Sequence, residues 1–230
     1  MRLRTVLFDL DGTLIDHFKA IHRCHAFTMR QLGLPEPTPA QVRAAVGAGV
    51  ETAIARLAGP ERVAAALPIY MKHWNATMLD DVESLPGAID LLRSLRADGV
   101  KCAVLTNKHG PSSRLVCDHL GFTPLLAAVF GAQDTPWLKP DPRFTAHALA
   151  QLQADAATTA LVGDSPYDLE TARAGGLPFV AVTTGTHTEE QLRAAGAGVI
   201  ATSLPEVGRE LAKLQAVSMR QEDGERARGP

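Results

Sequence analysis

The chain has 230 residues, 46 % of them hydrophobic and 21 % charged, with a formal net charge of −2. Such a length can bury one core, or a core and a small insertion, without disulfides or a structural metal. The near-neutral balance argues against nucleic acid or an anionic membrane as a partner, although a local cationic pocket stays compatible with it.

The first apolar stretch, Leu3 to Leu10, meets acidic residues almost at once, so it reads neither as a signal peptide nor as a membrane span. Within it, Thr5-Val6-Leu7-Phe8 is apolar and β-branched without alternation, which predicts a strand buried on both faces. That strand should break at Asp9-Leu10-Asp11-Gly12-Thr13. From Asp16 to about Leu32 the period is helical, stopped by Gly33 and by Pro35, Pro37 and Pro39. Residues 40–80 read as further helices, punctuated by Gly47, Gly49, Gly59-Pro60 and Pro68.

After Pro86-Gly87 helices and strands alternate. Helices are expected over 88–98, 111–120, 142–152, 166–174, 188–195 and 205–214. Strands are expected over 101–105, 129–130, 158–162, 179–182 and 198–201. This alternation predicts an α/β fold: a Rossmann-like parallel sheet with helices on both faces. Residues 1–15 and 84–217 would form that core, with residues 16–83 as an all-helical insertion after the first strand. The polar stretch 218–230 reads as a disordered tail. Cys24, Cys102 and Cys117 follow no zinc or C-x-x-C spacing, so they read as free buried thiols suited to a reducing cytoplasm.

In parallel sheets ligands bind beyond the carboxyl ends of the strands. There the chain carries Asp9 and Asp11, then Thr106-Asn107-Lys108, then Gly163-Asp164-Ser165 with Asp168 beyond, and Lys139 in the loop after the third strand. Each has an ordinary structural use. Asp9 and Asp11 suit a turn, Asp164 and Asp168 suit helix caps, Thr106 suits a strand, and Lys139 suits a solvated surface. Together they would make an oxygen-rich site for a hard cation such as Mg²⁺, with donors for phosphate oxygens at Thr106, Asn107 and Lys139.

Val6-Leu7-Phe8-Asp9-Leu10-Asp11-Gly12-Thr13-Leu14 resembles the first motif of the haloacid dehalogenase-like hydrolase superfamily. Val104-Leu105-Thr106-Asn107, Lys139-Pro140 and Gly163-Asp164-Ser165-Pro166-Tyr167-Asp168 are similar to its second, third and fourth, in order, within a resemblance that covers about residues 4–215. The insertion resembles the cap of the phosphoglycolate phosphatase-like subfamily, whose site-facing segment is similar to residues 42–49 here. The resemblance implies a phosphatase with Asp9 as nucleophile and Asp11 as acid and base. It also implies Mg²⁺ on Asp9, Asp164, Asp168 and the main-chain carbonyl of Asp11, and phosphoryl oxygens held by Thr106 and Lys139.

In that scheme Asp9 is ionised while Asp11 carries the proton. Lys108 could share the role of Lys139, and Arg43 and His17 are candidates for contact with the substrate, a small phosphate ester. Three rivals exist. Dehalogenases of this fold lack the second acid, which Asp11 supplies. A phosphomutase of the β-phosphoglucomutase type would have a cap histidine where this chain has Ile21, with His22 one position off. A non-catalytic binding module would be expected to have lost part of the set. Phosphoglycolate, a sugar phosphate and a nucleotide are all compatible substrates.

Overall fold

The computed structural model describes residues 3–226, with side chains to residue 215. The chain opens with Thr5–Phe8 (β1), which is buried at every position. A turn leads to the two-residue strand Ile15–Asp16 (β2), and then to four helices: Phe18–Gln31 (α1), Pro39–Ala45 (α2), Val50–Ala58 (α3) and Val63–Thr77 (α4). Glu83–Ser84 (β3) pairs antiparallel with β2, so the chain leaves the helical insertion beside the point where it entered.

The alternating part follows as Ala88–Ala97 (α5), Lys101–His109 (β4), Gly110–His119 (α6), Ala128–Ala132 (β5) and Pro142–Leu152 (α7). It ends with Thr159–Gly163 (β6), Pro166–Gly175 (α8), Phe179–Val182 (β7), Glu189–Ala194 (α9), Ile200–Ala201 (β8) and Leu204–Arg226 (α10). The expected tail overlaps the end of α10, and its last residues, 227–230, lie outside the described residues.

Six strands form one parallel sheet in the order β5-β4-β1-β6-β7-β8. Successive side chains of β1 feed opposite faces, as the pleat requires. Val6 and Phe8 join Leu92 of α5, Val116 of α6 and Val207 of α10. Leu7 joins Phe144 of α7 and Ala172 of α8 on the other face. Strand order reverses direction at β1, which places a crevice at its carboxyl end.

The insertion has a core of its own, with Cys24 and Met29 of α1, Ile54 of α3, and Tyr70 and Trp74 of α4. One expectation is corrected here. Pro68 lies inside α4 rather than between helices. Its ring forfeits the bond to the carbonyl of residue 64, yet Ala66, Tyr70 and Trp74 remain a buried stripe at four-residue spacing, and that packing carries the helix through. β2 and β3 were not expected, since two residues offer no period to read. Among the described residues no helix is long and apolar enough to cross a membrane.

His25 of α1 is buried beside Tyr70, with ring centroids 4.7 Å apart. Burial, followed by the neighbouring His22, pushes its pKa down to about 4. Below the ordinary value of 6.5 the unfolded chain takes up a proton that the folded chain refuses until about pH 4. Stability should therefore fall with pH through that window by about 3 kcal/mol from this residue. Denaturant unfolding of the wild type and His25→Phe at pH 7 and pH 4.5 checks this: the variant should lose less stability on acidification, and equal losses would contradict it.

Candidate active site

β1, β4 and β6 end side by side, with Phe8 in register with Val104 and with Val162. The amide of Asp9 still donates to Val162 O at 2.9 Å, which fixes where the first acid leaves the sheet. The chain then turns through Gly12, at φ 79°, where an added methyl would meet Gly185 Cα at 2.7 Å and Asp164 Oδ2 at 2.9 Å. Only a glycine permits that approach.

Lys139 is carried on the loop after β5 and braced by Asn107. Its amide donates to Asn107 Oδ1 at 2.7 Å, and Asn107 Nδ2 donates to the carbonyls of Lys139 (3.0 Å) and Gly47 (3.1 Å). Both ends of the Asn107 side-chain amide are spent on the backbone, so that side chain positions the loop that carries Lys139.

The ammonium of Lys139, which is buried, stands 2.6 Å from Asp168 Oδ1 and 2.9 Å from Asp9 Oδ1. Asp168, with no exposure, also accepts from Ser165 N (3.1 Å) and Ser165 Oγ (2.6 Å), so it caps α8 and grips the lysine at once. Asp164 Oδ2 accepts from the amide of Thr186 at 2.9 Å. Oxygens of Asp9, Asp164 and Asp168 lie within 4.8 Å of one another.

Three carboxylates thus face one ammonium. Burial raises the pKa of Asp164 to about 8, with the charges of Asp168 and Asp9 adding to it. Burial raises Asp9 to about 6, with Lys139 opposing and Asp168 assisting. Asp9 Oδ1 meets the Lys139 ammonium as an ion pair. Three clustered carboxylates with one ammonium among them are the setting that a hard divalent cation relieves.

Asp11 belongs to a different arrangement. Its carboxylate accepts from Lys108 Nζ at 2.8 and 3.0 Å and lies 3.6 Å from Nδ1 of the buried His17. It is therefore outside the group of three, which leaves only its main-chain carbonyl for a metal. Burial would raise its pKa, but the Lys108 ammonium, and after it His17, hold it well below the usual carboxylate range. Asp11 thus has a cation against it that favours its ionised form, whereas the expected scheme has it carry the proton in the first step.

Lys108 also lies 4.5 Å from the ring centre of Trp74, whose Nε1 donates to Ser112 Oγ at 3.1 Å. Thr106 is buried at the floor. Helices of the insertion roof these groups over a cavity of about 340 Å³, in whose wall Arg43 and His17 also stand. Arg43 Cζ lies over Phe18, 3.8 Å from the ring centre, while His17 donates from Nε2 to Met78 O at 2.6 Å. Ile21 faces the cavity, whereas His22 is turned to Pro37 O at 3.0 Å.

The sequence reading missed Thr184, Gly185 and Thr186, although they follow β7 and obey the strand-end rule used for the others. Thr184 Oγ1 donates to Gly12 O at 2.7 Å and so ties this loop to the first turn. Tyr70, Trp74 and His25 were missed as well; their helical spacing is the same whether they line a cavity or fill a core.

Residues 6–182 match the haloacid dehalogenase-like hydrolase family. The "Probable phosphatase IndB" of Dickeya dadantii is 36 % identical over 208 residues, 88 % of this chain and 90 % of that protein. A phosphoglycolate phosphatase of Caulobacter vibrioides is 32 % identical over 210 residues, 88 % of each chain. The crystal structure of a "predicted phosphatase" from Clostridium acetobutylicum has the same fold, with a TM-score of 0.86 at 24 % identity over 93 % of this chain and 100 % of that one. With a sheet of this order, acids at these strand ends and relatives of this closeness, the chain belongs to the haloacid dehalogenase-like hydrolase family, as a phosphoric monoester hydrolase of its phosphoglycolate phosphatase-like branch.

Proposed function

We propose that this phosphatase hydrolyses a small-molecule phosphate monoester with the help of Mg²⁺ and through a phosphorylated Asp9. The observation that carries the reading is the placement of Asp9: a strand-end carboxylate opening on the cavity, paired with the Lys139 ammonium at 2.9 Å and grouped with Asp164 and Asp168. Asp9, Asp164, Asp168 and the main-chain carbonyl of Asp11 would hold the cation, directly or through water. Bound there, it would withdraw charge from the phosphoryl oxygens and keep Asp9 ionised.

In the first half-reaction an oxygen of Asp9 attacks phosphorus and the bond to the ester oxygen breaks, with Asp11 giving that oxygen its proton. In the second, water attacks the phosphorus of the aspartyl-phosphate, Asp11 takes the water's proton, and inorganic phosphate leaves a restored Asp9. Lys139 and the Thr106 hydroxyl hold the equatorial oxygens, so that transfer rests on positioning and charge. Asp11 can act as the acid only after the phosphate has drawn Lys108 away from it. Three free, buried cysteines suit work in a reducing cytoplasm.

The mutase alternative loses its support in the roof, since Ile21 faces the cavity and His22 does not. Hydrolysis of para-nitrophenyl phosphate should require Mg²⁺, stop with EDTA, and fall roughly a thousandfold or more in Asp9→Asn. Activity that survives either change would overturn the reading.

A methyl at Gly185 would stand 1.9 Å from Asp164 Oδ2 and must displace it. Gly185→Ala should then raise the Mg²⁺ concentration for half-maximal activity by about tenfold to a hundredfold. An unchanged Mg²⁺ dependence would mean that Asp164 is not a ligand.

A further inference from the structure

Resting on the phosphatase reading, we propose that the roofed cavity selects a phosphate ester whose leaving group is a flat, largely apolar ring with a hydrogen-bonding atom at its far edge, in place of a short charged group such as glycolate. The first observation is the wall. His17, Trp74, Tyr70 and His25 form a continuous run of rings, with successive centroids 4.8, 5.9 and 4.7 Å apart. It begins 3.6 Å from Asp11, at His17, and leads away from the chemistry into the insertion. Phe18 and Ile21 supply further apolar wall. At about 340 Å³ the cavity is the size of a site for a ring-bearing molecule, and a two-carbon acid would fill only a fraction of it.

Packing of the insertion accounts for Tyr70 and Trp74, which belong to its core. It does not account for His25. That imidazole is 1 % exposed, lines the cavity, and has Nδ1 buried without a hydrogen bond. A buried polar atom left unpaired is costly, and a polar atom on a ligand ring that reorients the imidazole would relieve it. Burial keeps this histidine neutral, so it offers a hydrogen bond but no charge for a carboxylate. Of the cations in the wall, Lys108 pairs with Asp11 at rest and serves the phosphate in the proposed reaction, and Arg43 lies over Phe18. The wall favours stacking over ion pairing.

The test compares kcat/KM of the whole protein with Mg²⁺ for benzyl phosphate, ethyl phosphate and 2-phosphoglycolate, whose leaving groups are all alkoxides. Benzyl phosphate should lead both others by about tenfold or more, the gain expected from burying a phenyl ring. Equal rates, or a lead for 2-phosphoglycolate, would overturn the proposal and give selection to Arg43. Ala53, also in the wall, tests the space: Ala53→Leu should lower the benzyl-to-ethyl ratio about fivefold, and an unchanged ratio would count against the chamber. A preference for a pyridylmethyl over a benzyl ester should vanish in His25→Phe; a preference that persists would remove His25 from recognition.

If no ester is turned over, the phosphatase reading fails separately, and binding still judges the chamber. Benzylphosphonate should then bind about tenfold more tightly than methylphosphonate, followed by tryptophan fluorescence. Equal affinities would sink the proposal without reference to catalysis.

Discussion

One buried ammonium set among three carboxylates governs this site. Lys139 touches Asp9 and Asp168, and Asp164 stands beside them with no cation of its own among the described residues. Burying several like charges is tolerable only when partners meet them, and here a single lysine leaves the account negative. The surrounding backbone is fitted to that cluster. Asn107 anchors the loop that carries the lysine, Gly12 and Gly185 leave room for Asp164, and Gly163 leaves room for Asp168. The sheet's role is to bring the ends of β1, β4 and β6 together so that these acids must share one space.

The helical insertion is tied to this cluster by a few polar links. Asn107 donates to Gly47 O, Trp74 donates to Ser112, and Arg56 donates to the Tyr167 hydroxyl at 2.9 Å. Two of these links touch residues beside the chemistry: Asn107 braces Lys139, and Trp74 backs Lys108 against Asp11. The roof therefore touches the residues that brace Lys139 and back Lys108.

The fold was legible because its strands are short, apolar on both faces and cut off by glycines, prolines and acids. Thr5–Phe8 and Thr159–Gly163 could hardly be read otherwise. Asp9, Asp11, Thr106, Lys139, Asp164 and Asp168 were nameable because strand ends in a parallel sheet converge. What each one touches was not. Lys108 and Asp11 are 97 positions apart, and no local pattern tells which of two lysines faces which acid. The bracing role of the Asn107 side chain had no local sign, because its partners, the carbonyls of Gly47 and Lys139, come from distant loops. Pro68 looked like a break because propensity weighs less than a buried stripe. The Thr184–Thr186 loop escaped notice since threonine and glycine are what any turn contains.

Trapping the enzyme in mid-reaction asks most directly whether Asp9 takes the phosphoryl group. The protein would be mixed with a hydrolysable ester and Mg²⁺, quenched within milliseconds, and reduced with borohydride, which converts an acyl phosphate to an alcohol. Mass spectrometry of the peptide spanning residues 5–14 should then find homoserine at position 9, and only when ester was present. Hydrolysis with an unmodified Asp9, or reduction at any other carboxylate, would contradict the account.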